Sequence, residues 1–342
     1  MSSNDARRNF YQQKINSMLI EVSNVKNQLT DTESQVYHLD DTISKLPTRV
    51  SNVRQMNYRI QTNFETDQVK AAERWASIGP SMKMEVKNKA ALIRMEITAL
   101  EGDINARRNY PSVDVGSLSG LEIRLNTQKL IVYDFSKRIQ ESLVSVTSVL
   151  TPLEQGLSTA ESVIKLTSAA SYPWKEGETP VVAVHAKDMN KNVEGILTLT
   201  NLRLIYESEI EIVLKKTFFI VTEKKKERRL VFEQPIGSIS KITKGRVGLL
   251  AGAGLFIEFK QSEPELKLDT KSEEADLVIK YFGLIASGQI DEELVKQKPE
   301  TPKSSEKRIL SCPKCGAPYT DEVYRGQLTV KCKYCNTIIT IQ

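Results

Sequence analysis

The sequence predicts a multidomain chain: an all-α coiled coil, then a β-barrel or sandwich of seven strands capped by a C-terminal helix, then a small metal module. Three observations predict it. Apolar residues recur in seven-residue steps near the start, short β-rich runs follow one another through the middle, and all four cysteines stand in two C-x2-C pairs near the end. At 342 residues the chain exceeds what one hydrophobic core usually serves. Aromatics at 6% and charged residues at 27% suit long exposed helices beside one compact domain, and lean away from a large globular enzyme. The expected division is 1–171 helical rod, 172–296 β-rich domain, 297–309 flexible linker and 310–342 metal module.

In the first segment Tyr11, Ile15, Met18, Val22, Val25, Leu29, Thr32, Val36, Leu39, Ile43 and Leu46 follow alternating steps of four and three, and all but Thr32 are apolar. A stripe held to a seven-residue repeat drifts on a straight helix unless the helix supercoils about a partner. The pattern therefore predicts a coiled coil that sets oligomeric state and reach. A compact bundle inside one larger domain is the alternative. Pro47 marks either a kink or the first turn of a new helix, since the register continues through Val50, Val53, Asn57, Ile60, Phe64 and Ala71. Gly79-Pro80 reads as a stronger break. The spacing resumes from Val86 to Ile104, a turn is expected over 109–120, and a last long helix follows from Leu121 to about Ala170. The helices on either side of that turn are expected to fold back as an antiparallel hairpin.

In the middle segment strands are expected at 181–186, 195–200, 203–213, 228–234, 238–244, 254–260 and 265–270, then a helix over 272–287 with Ala275, Val278, Ile279, Phe282 and Ile285 on one face. Gly195-Ile196-Leu197-Thr198-Leu199-Thr200-Asn201-Leu202-Arg203-Leu204-Ile205 reads as two strands joined at Thr200-Asn201. This run resembles the G-x-L-x-L-T-N-x-R-L-I core of GRAM and related pleckstrin-homology-like (PH-like) domains. Seven strands closed by one helix is also the order of elements in that family. The resemblance implies docking to an anionic membrane or a protein. Headgroup binding in such domains often uses basic residues of the first loop and second strand. Here that loop holds Lys187 and Lys191, and Ile196 to Leu199 carry no cation.

The basic charge lies elsewhere. Between Lys215 and Arg246 ten Lys or Arg oppose three acids, a local +7 in a chain of net +5. Lys215, Lys216, Phe218, Phe219, Lys224, Lys225, Lys226, Arg228 and Arg229 are read as a loop between the third and fourth strands. Its apolar tip is suited to the bilayer interface, and each nearby cation gains about 1 kcal/mol from anionic headgroups. In the alternative, 218–221 extend the sheet and the lysines are a solvated turn. The glycine-rich 248–254 lacks the Lys-Ser/Thr of a phosphate loop and leads into a strand, so it is a connection. His38, beside the seam residue Leu39, has no Cys or His companion nearby, and His185 reads as a satisfied residue of the first strand.

Near the end, Cys312-Pro313-Lys314-Cys315-Gly316 and Cys332-Lys333-Tyr334-Cys335-Asn336 are separated by sixteen residues. Two such knuckles let four thiolates surround one ion tetrahedrally, with Cys312, Cys315, Cys332 and Cys335 as ligands. Gly316 and Asn336 stand where the turns need permissive backbone, and short strands are expected at 328–330 and 338–341. The segment resembles a zinc ribbon. Four thiolates leave no open position for water, so Zn2+ would be structural, with iron in a rubredoxin-like site as the rival.

Met1 to Asp5 has no basic n-region or apolar run, and no apolar stretch approaches the roughly 20 residues that span a bilayer, so a cytoplasmic protein, peripheral to a membrane at most, is expected. Together these features predict a non-enzymatic adaptor. It would form a homo-oligomer or pair with a coiled-coil partner, dock by the PH-like domain, and recruit a protein through the ribbon. The alternative is a nucleic-acid-binding regulator using the ribbon and the 215–246 patch. The combination of a PH-like domain, a zinc finger and helices also resembles the GLUE-containing subunit of the ESCRT-II complex, in a different order and without a winged-helix segment.

Overall fold

The computed structural model describes residues 3–108, 115–217, 220–247, 252–260, 264–295, 311–320 and 323–341. The expected linker 297–309, the tip residues Phe218 and Phe219, and most of the glycine-rich connection lie outside them. The chain forms two compact units, Met1–Arg49 with Phe64–Glu154, and Val50–Asn63 with Gln155–Gln342.

The first unit is a helical bundle made from parts of α1 (Ser3–Gln55), α2 (Phe64–Arg108) and α3 (Ser119–Thr167). Every position of the heptad stripe from Tyr11 to Leu46 is buried, Thr32 included. Contacts between helices fix their directions. Lys26 pairs with Glu101 at 2.5 Å and Lys83 with Asp40 at 2.9 Å, so α2 runs antiparallel to α1. Lys14 with Glu122 at 2.9 Å and Arg49 with Glu154 at 2.6 Å set α3 parallel to α1. Arg124 with Asp103 at 2.5 Å and Arg138 with Glu85 at 3.2 Å make α2 and α3 the expected antiparallel hairpin. The expectation of a coiled coil with a second chain is thereby corrected. A seven-residue stripe shows that a face is covered, not by which helix, and here α2 and α3 of the same chain cover it.

Thr32 and Ser136, both buried, exchange a hydrogen bond of 2.7 Å across α1 and α3, which satisfies the one polar seam position and pins the register. The expected break at Gly79-Pro80 does not occur, since α2 runs through it, as α1 runs through Pro47. Packing of a long amphipathic face outweighs the roughly 3 kcal/mol that one interior proline costs. Gly79 has a different use. A Cβ there would lie 2.5 Å from the indole of Trp75, whose Nε1 donates to Asp40 at 2.7 Å.

In the second unit the seven strands are β1 (Pro180–Asp188), β2 (Val193–Thr200), β3 (Arg203–Thr217), β4 (Ile220–Pro235), β5 (Ile239–Val247), β6 (Gly252–Phe259) and β7 (Leu266–Asp269). They form one antiparallel sheet in the order β4-β3-β2-β1-β7-β6-β5. β4 and β5 are the two edges, yet only the 3-10 turn Ile236–Ser238 joins them. The sheet must therefore curl until its edges approach, and Phe232 of β4 packs on Phe259 of β6 with ring centroids 5.3 Å apart. Helix α4 (Ser272–Ala286) buries Ala275, Val278, Tyr281 and Ile285. Tyr281 takes the place expected of Ile279 and Phe282, which are half-buried. Strand order and closing helix together give the PH-like architecture.

The heptad register does not continue to Ala71 as one helix. The chain leaves α1 at Gln55, and Asn57 and Gln61 take the left-handed conformation at φ 63° and 64°. Arg54 holds this turn by donating to the carbonyls of Tyr58 at 3.0 Å, Ile60 at 2.8 Å and Gln61 at 2.6 Å. Asn57 then donates to the carbonyl of Glu178 at 2.9 Å, and Thr179 Oγ1 donates to the carbonyl of Asn57 at 2.6 Å. The segment 56–63 thus belongs to the second unit, where Tyr58 and Ile60 are fully buried.

Candidate metal centre and basic arm

The cysteine knuckles are built by local backbone rules. The Gly316 amide donates to the Cys312 carbonyl at 2.8 Å and that of Asn336 to the Cys332 carbonyl at 2.9 Å, and each closing residue is left-handed, at φ 73° and 57°. Gly and Asn are the residues that adopt this conformation at least cost. Behind the knuckles β8 (Thr329–Lys331) pairs antiparallel with β9 (Ile338–Thr340) over a core of Cys312, Val330, Cys332 and Ile339. The sulfur atoms of Cys312, Cys315, Cys332 and Cys335 all lie within 4.8 Å of one another, with Cys312 to Cys335 at 3.4 Å and Cys315 to Cys332 at 3.6 Å. A tetrahedral ion with bonds of about 2.3 Å needs ligand separations of about 3.8 Å, so the donor set fits a thiophilic ion.

The protons of these thiols are already unequal. The Thr337 hydroxyl, 3.1 Å away, and its backbone amide pull the Cys335 thiol down to about 6. At Cys315 a backbone hydrogen bond from Ala317 favours the thiolate, but the Cys335 thiol first, and after it desolvation and the thiols of Cys312 and Cys332, push its value up to about 12. Four thiolates at this spacing need a cation among them.

The basic residues sit on strands and not in a loop, which corrects the loop expectation. β2 pairs with β3 only as far as Gly195 opposite Ser208, whereas β3 and β4 stay paired to Thr217 opposite Ile220. Beyond β2, therefore, β3 and β4 continue as a two-stranded arm. Its backbone register sets Lys215 opposite Glu223, Lys216 opposite Val221, and Lys224, Lys225 and Lys226 opposite Val213, Ile212 and Glu211. At the base of the arm Arg228 is already engaged, pairing with Glu209 at 3.3 Å and donating to the Leu166 carbonyl. Arg229 is exposed, with Glu227 3.9 Å away. Arg228 thus has a structural task that its place in a basic run did not reveal.

The residues of the G-x-L-x-L-T-N-x-R-L-I run are architectural. A Cβ at Gly195 would lie 1.9 Å from the Glu207 carbonyl oxygen. Thr200 Oγ1 accepts from the amides of Leu202 at 3.1 Å and Arg203 at 2.9 Å, and Asn201 Oδ1 accepts from that of Thr179 at 2.9 Å. Arg203 is 2% exposed and donates to both oxygens of the fully buried Glu178, at 2.8 and 3.0 Å, to the Pro173 carbonyl at 2.6 Å, and to Glu233. Burial alone would lower its pKa, but Glu178 and Glu233 overcome this and raise it. His185 is exposed on β1 and borders a groove of about 500 Å³ with Glu194, Asp269 and Glu274. A second groove, of about 580 Å³, lies beside Asn190, Lys191, Phe232 and Lys267.

Sequence reasoning read Arg325 only as a ribbon cation for phosphates or solubility and did not foresee that it and Gly326, which lie between the knuckles, rest against the β2–β3 turn. The available signal was a glycine flanked by a cation in an otherwise unassigned spacer. Among the described residues, no helix is long and apolar enough to cross a membrane.

No family model and no curated protein matches the chain. Among solved structures it is similar to a Vps36 N-terminal PH domain, at 14% identity over 36% of this chain and 91% of that one, with a TM-score of 0.25. It is also similar to Vav1 inhibited by an allosteric inhibitor, at 10% identity over 96% and 97% of the two chains, and to the DH/PH domains of p115-RhoGEF, at 11% over 84% and 98%, each with a TM-score of 0.25. Scores of this size carry no argument, and the fold assignment rests on the strand order itself.

Proposed function

We propose that this protein is a non-enzymatic, cytoplasmic adaptor that docks through its PH-like domain onto an anionic membrane surface, as a peripheral protein. The observation that carries the reading is the two-stranded β3–β4 arm. It holds Lys215, Lys216, Lys224, Lys225 and Lys226 beyond the edge of the folded sheet. Cations held away from the body of a domain can reach a charged plane that a compact surface meets only along one tangent. Each lysine near an anionic bilayer contributes about 1 kcal/mol. In this proposal residues 1–171 supply the helical body, 172–296 dock, 297–309 connect, and 310–342 form a structural zinc ribbon on Cys312, Cys315, Cys332 and Cys335. The oligomer expected of the coiled coil has no part in it, because that seam is covered within the chain.

The test is co-sedimentation of the full chain with anionic and neutral vesicles, wild type against Lys224→Glu, Lys225→Glu and Lys226→Glu combined. Removing three attractive charges weakens anionic-vesicle binding by about 100-fold or more at about 1 kcal/mol each. Absence of pelleting at low salt would sink the membrane reading. A second reading has one observation in its favour, since a two-stranded antiparallel ribbon is an element that enters a nucleic-acid major groove. Binding of duplex DNA with a steep salt dependence, and no vesicle binding, would select it.

A further inference from the structure

A zinc ribbon joined through a charged, proline-containing segment reads in sequence as a free module. In the structure residues 324–327, midway between the knuckles, lie on the PH-like domain. The contact is made backbone to backbone at two glycines. A Cβ on Gly326 would stand 1.8 Å from the Leu202 carbonyl oxygen, and one on Gly237 would stand 2.6 Å from the Arg325 amide nitrogen. Gly326 is also left-handed, at φ 84°. The Gly237 amide donates to the Arg325 carbonyl at 3.2 Å. The Arg325 side chain spans the seat. Its Nε donates to the Asn201 carbonyl at 3.0 Å, one Nη to the Ile285 carbonyl at 3.4 Å, and the two Nη atoms hold Asp291 at 3.0 and 2.6 Å. Ile285 is in the last turn of α4, where exposed carbonyls favour a cation. Lys260 lies over the Tyr324 ring, 4.9 Å from its centroid.

Resting on the zinc reading above, we propose that metal binding by the four cysteines and seating of residues 324–327 on the β2–β3 turn are one coupled equilibrium. The ribbon is then a metal-dependent lid over that face of the domain. Residues 324–327 lie within the sixteen residues that separate Cys315 from Cys332. An ion held by both knuckles fixes the two ends of that stretch, so the turn reaches its seat with most of its ordering already done. Among the described residues β8 and β9 both flank the second knuckle, and the core that ties it to the first is small, with Cys312, Val330, Cys332 and Ile339 buried. Coupling is reciprocal, so the seat must strengthen zinc binding by the same factor by which zinc strengthens seating. Loss of the metal uncovers the carbonyls of Asn201, Leu202 and Ile285 and releases the already exposed Asp291 carboxylate from Arg325.

The test uses the full chain with zinc alone as ligand. Hydrogen exchange at the Gly237 amide reports seating, and the neighbouring Ile236 amide, which donates to Leu202 within the PH-like domain at 2.9 Å, is the internal control. Chelating the zinc is expected to speed exchange at Gly237 at least tenfold and to leave Ile236 unchanged. Gly326→Ala and, separately, Arg325→Ala touch no thiol. Each is expected to keep one zinc per chain, to free the Gly237 amide, and to weaken zinc binding at least fivefold in competition with a chromophoric chelator. Unchanged Gly237 exchange after complete zinc removal would overturn the coupling, as would unchanged zinc affinity in both variants. A chain that takes up no zinc would overturn the metal reading instead, and the absence of bound metal tells the two failures apart.

Discussion

Replacing Arg203 by Met keeps an unbranched apolar stem and removes the charge and all of the donors. Glu178, 0% exposed, then loses the two guanidinium bonds at 2.8 and 3.0 Å and keeps Thr200 Oγ1 at 2.8 Å and the Lys175 amide at 2.8 Å. The Pro173 carbonyl and Glu233 also lose a partner, and the Tyr172 ring loses the cation 5.2 Å from its centroid. Breaking a buried pair from one side costs about 3–5 kcal/mol, because an uncompensated charge stays behind. Against a domain stability of about 5–15 kcal/mol this is a large fraction. At about 2–4 °C per kcal/mol the midpoint should fall by roughly 6–20 °C. The assay is thermal and urea unfolding followed by Trp174 fluorescence in a Trp75→Phe background, since Trp174 packs edge-on to Tyr172 at 5.2 Å and reports this corner. Adding Glu178→Gln to Arg203→Met should recover about 1 kcal/mol or more, since the stranded charge is removed. A loss below about 1 kcal/mol, or a double variant worse than the sum of its parts, would refute the reasoning.

Two further expectations concern the bundle. Gly79→Ala gains up to about 1 kcal/mol in helix propensity but places a methyl 2.5 Å from the Trp75 ring, and the overpacking should win by about 1–2 kcal/mol; thermal unfolding followed by Trp75 fluorescence checks it. The Lys83 ammonium, and after it the Trp75 indole N–H, hold the Asp40 carboxyl below the usual carboxylate range. Its contribution is therefore present above the unfolded value of about 4 and disappears as pH falls through the lower folded value. Asp40→Asn should flatten the acid limb of the bundle's stability curve below about pH 4, and an unchanged acid limb by circular dichroism would refute the assignment.

Much of the second unit was legible because its signals are local. Alternation, turn residues and the Thr200-Asn201 pair fixed seven strands and a helix to within a few residues, except where β3 and β4 run further than their apolar patterning suggested. That extension carries lysines, and strand pairing continues through them because backbone bonds do not depend on side-chain polarity. The knuckles were legible for the same reason, since spacing, a glycine and an asparagine specify a tight turn without help from the rest of the fold. The long helices were legible as helices, but Pro80 was not legible as tolerated. A helix-breaking residue is judged against packing that only the assembled bundle supplies.

The sequence by itself determined the order of elements, the buried stripe from Tyr11 to Leu46 and the grouping of four thiols. Each depends on periodicity or spacing within one segment. Only the tertiary structure decided what covers the stripe, since any apolar helix at the right distance would serve and α2 and α3 of this chain do. It alone assigned Arg203 to a buried carboxylate 25 residues away and Arg325 to carbonyls 124 and 40 residues away. An arginine in a sequence is a charge with five donors. Whether it meets solvent, a membrane or a buried acceptor is fixed by which distant backbone groups the fold leaves without a partner.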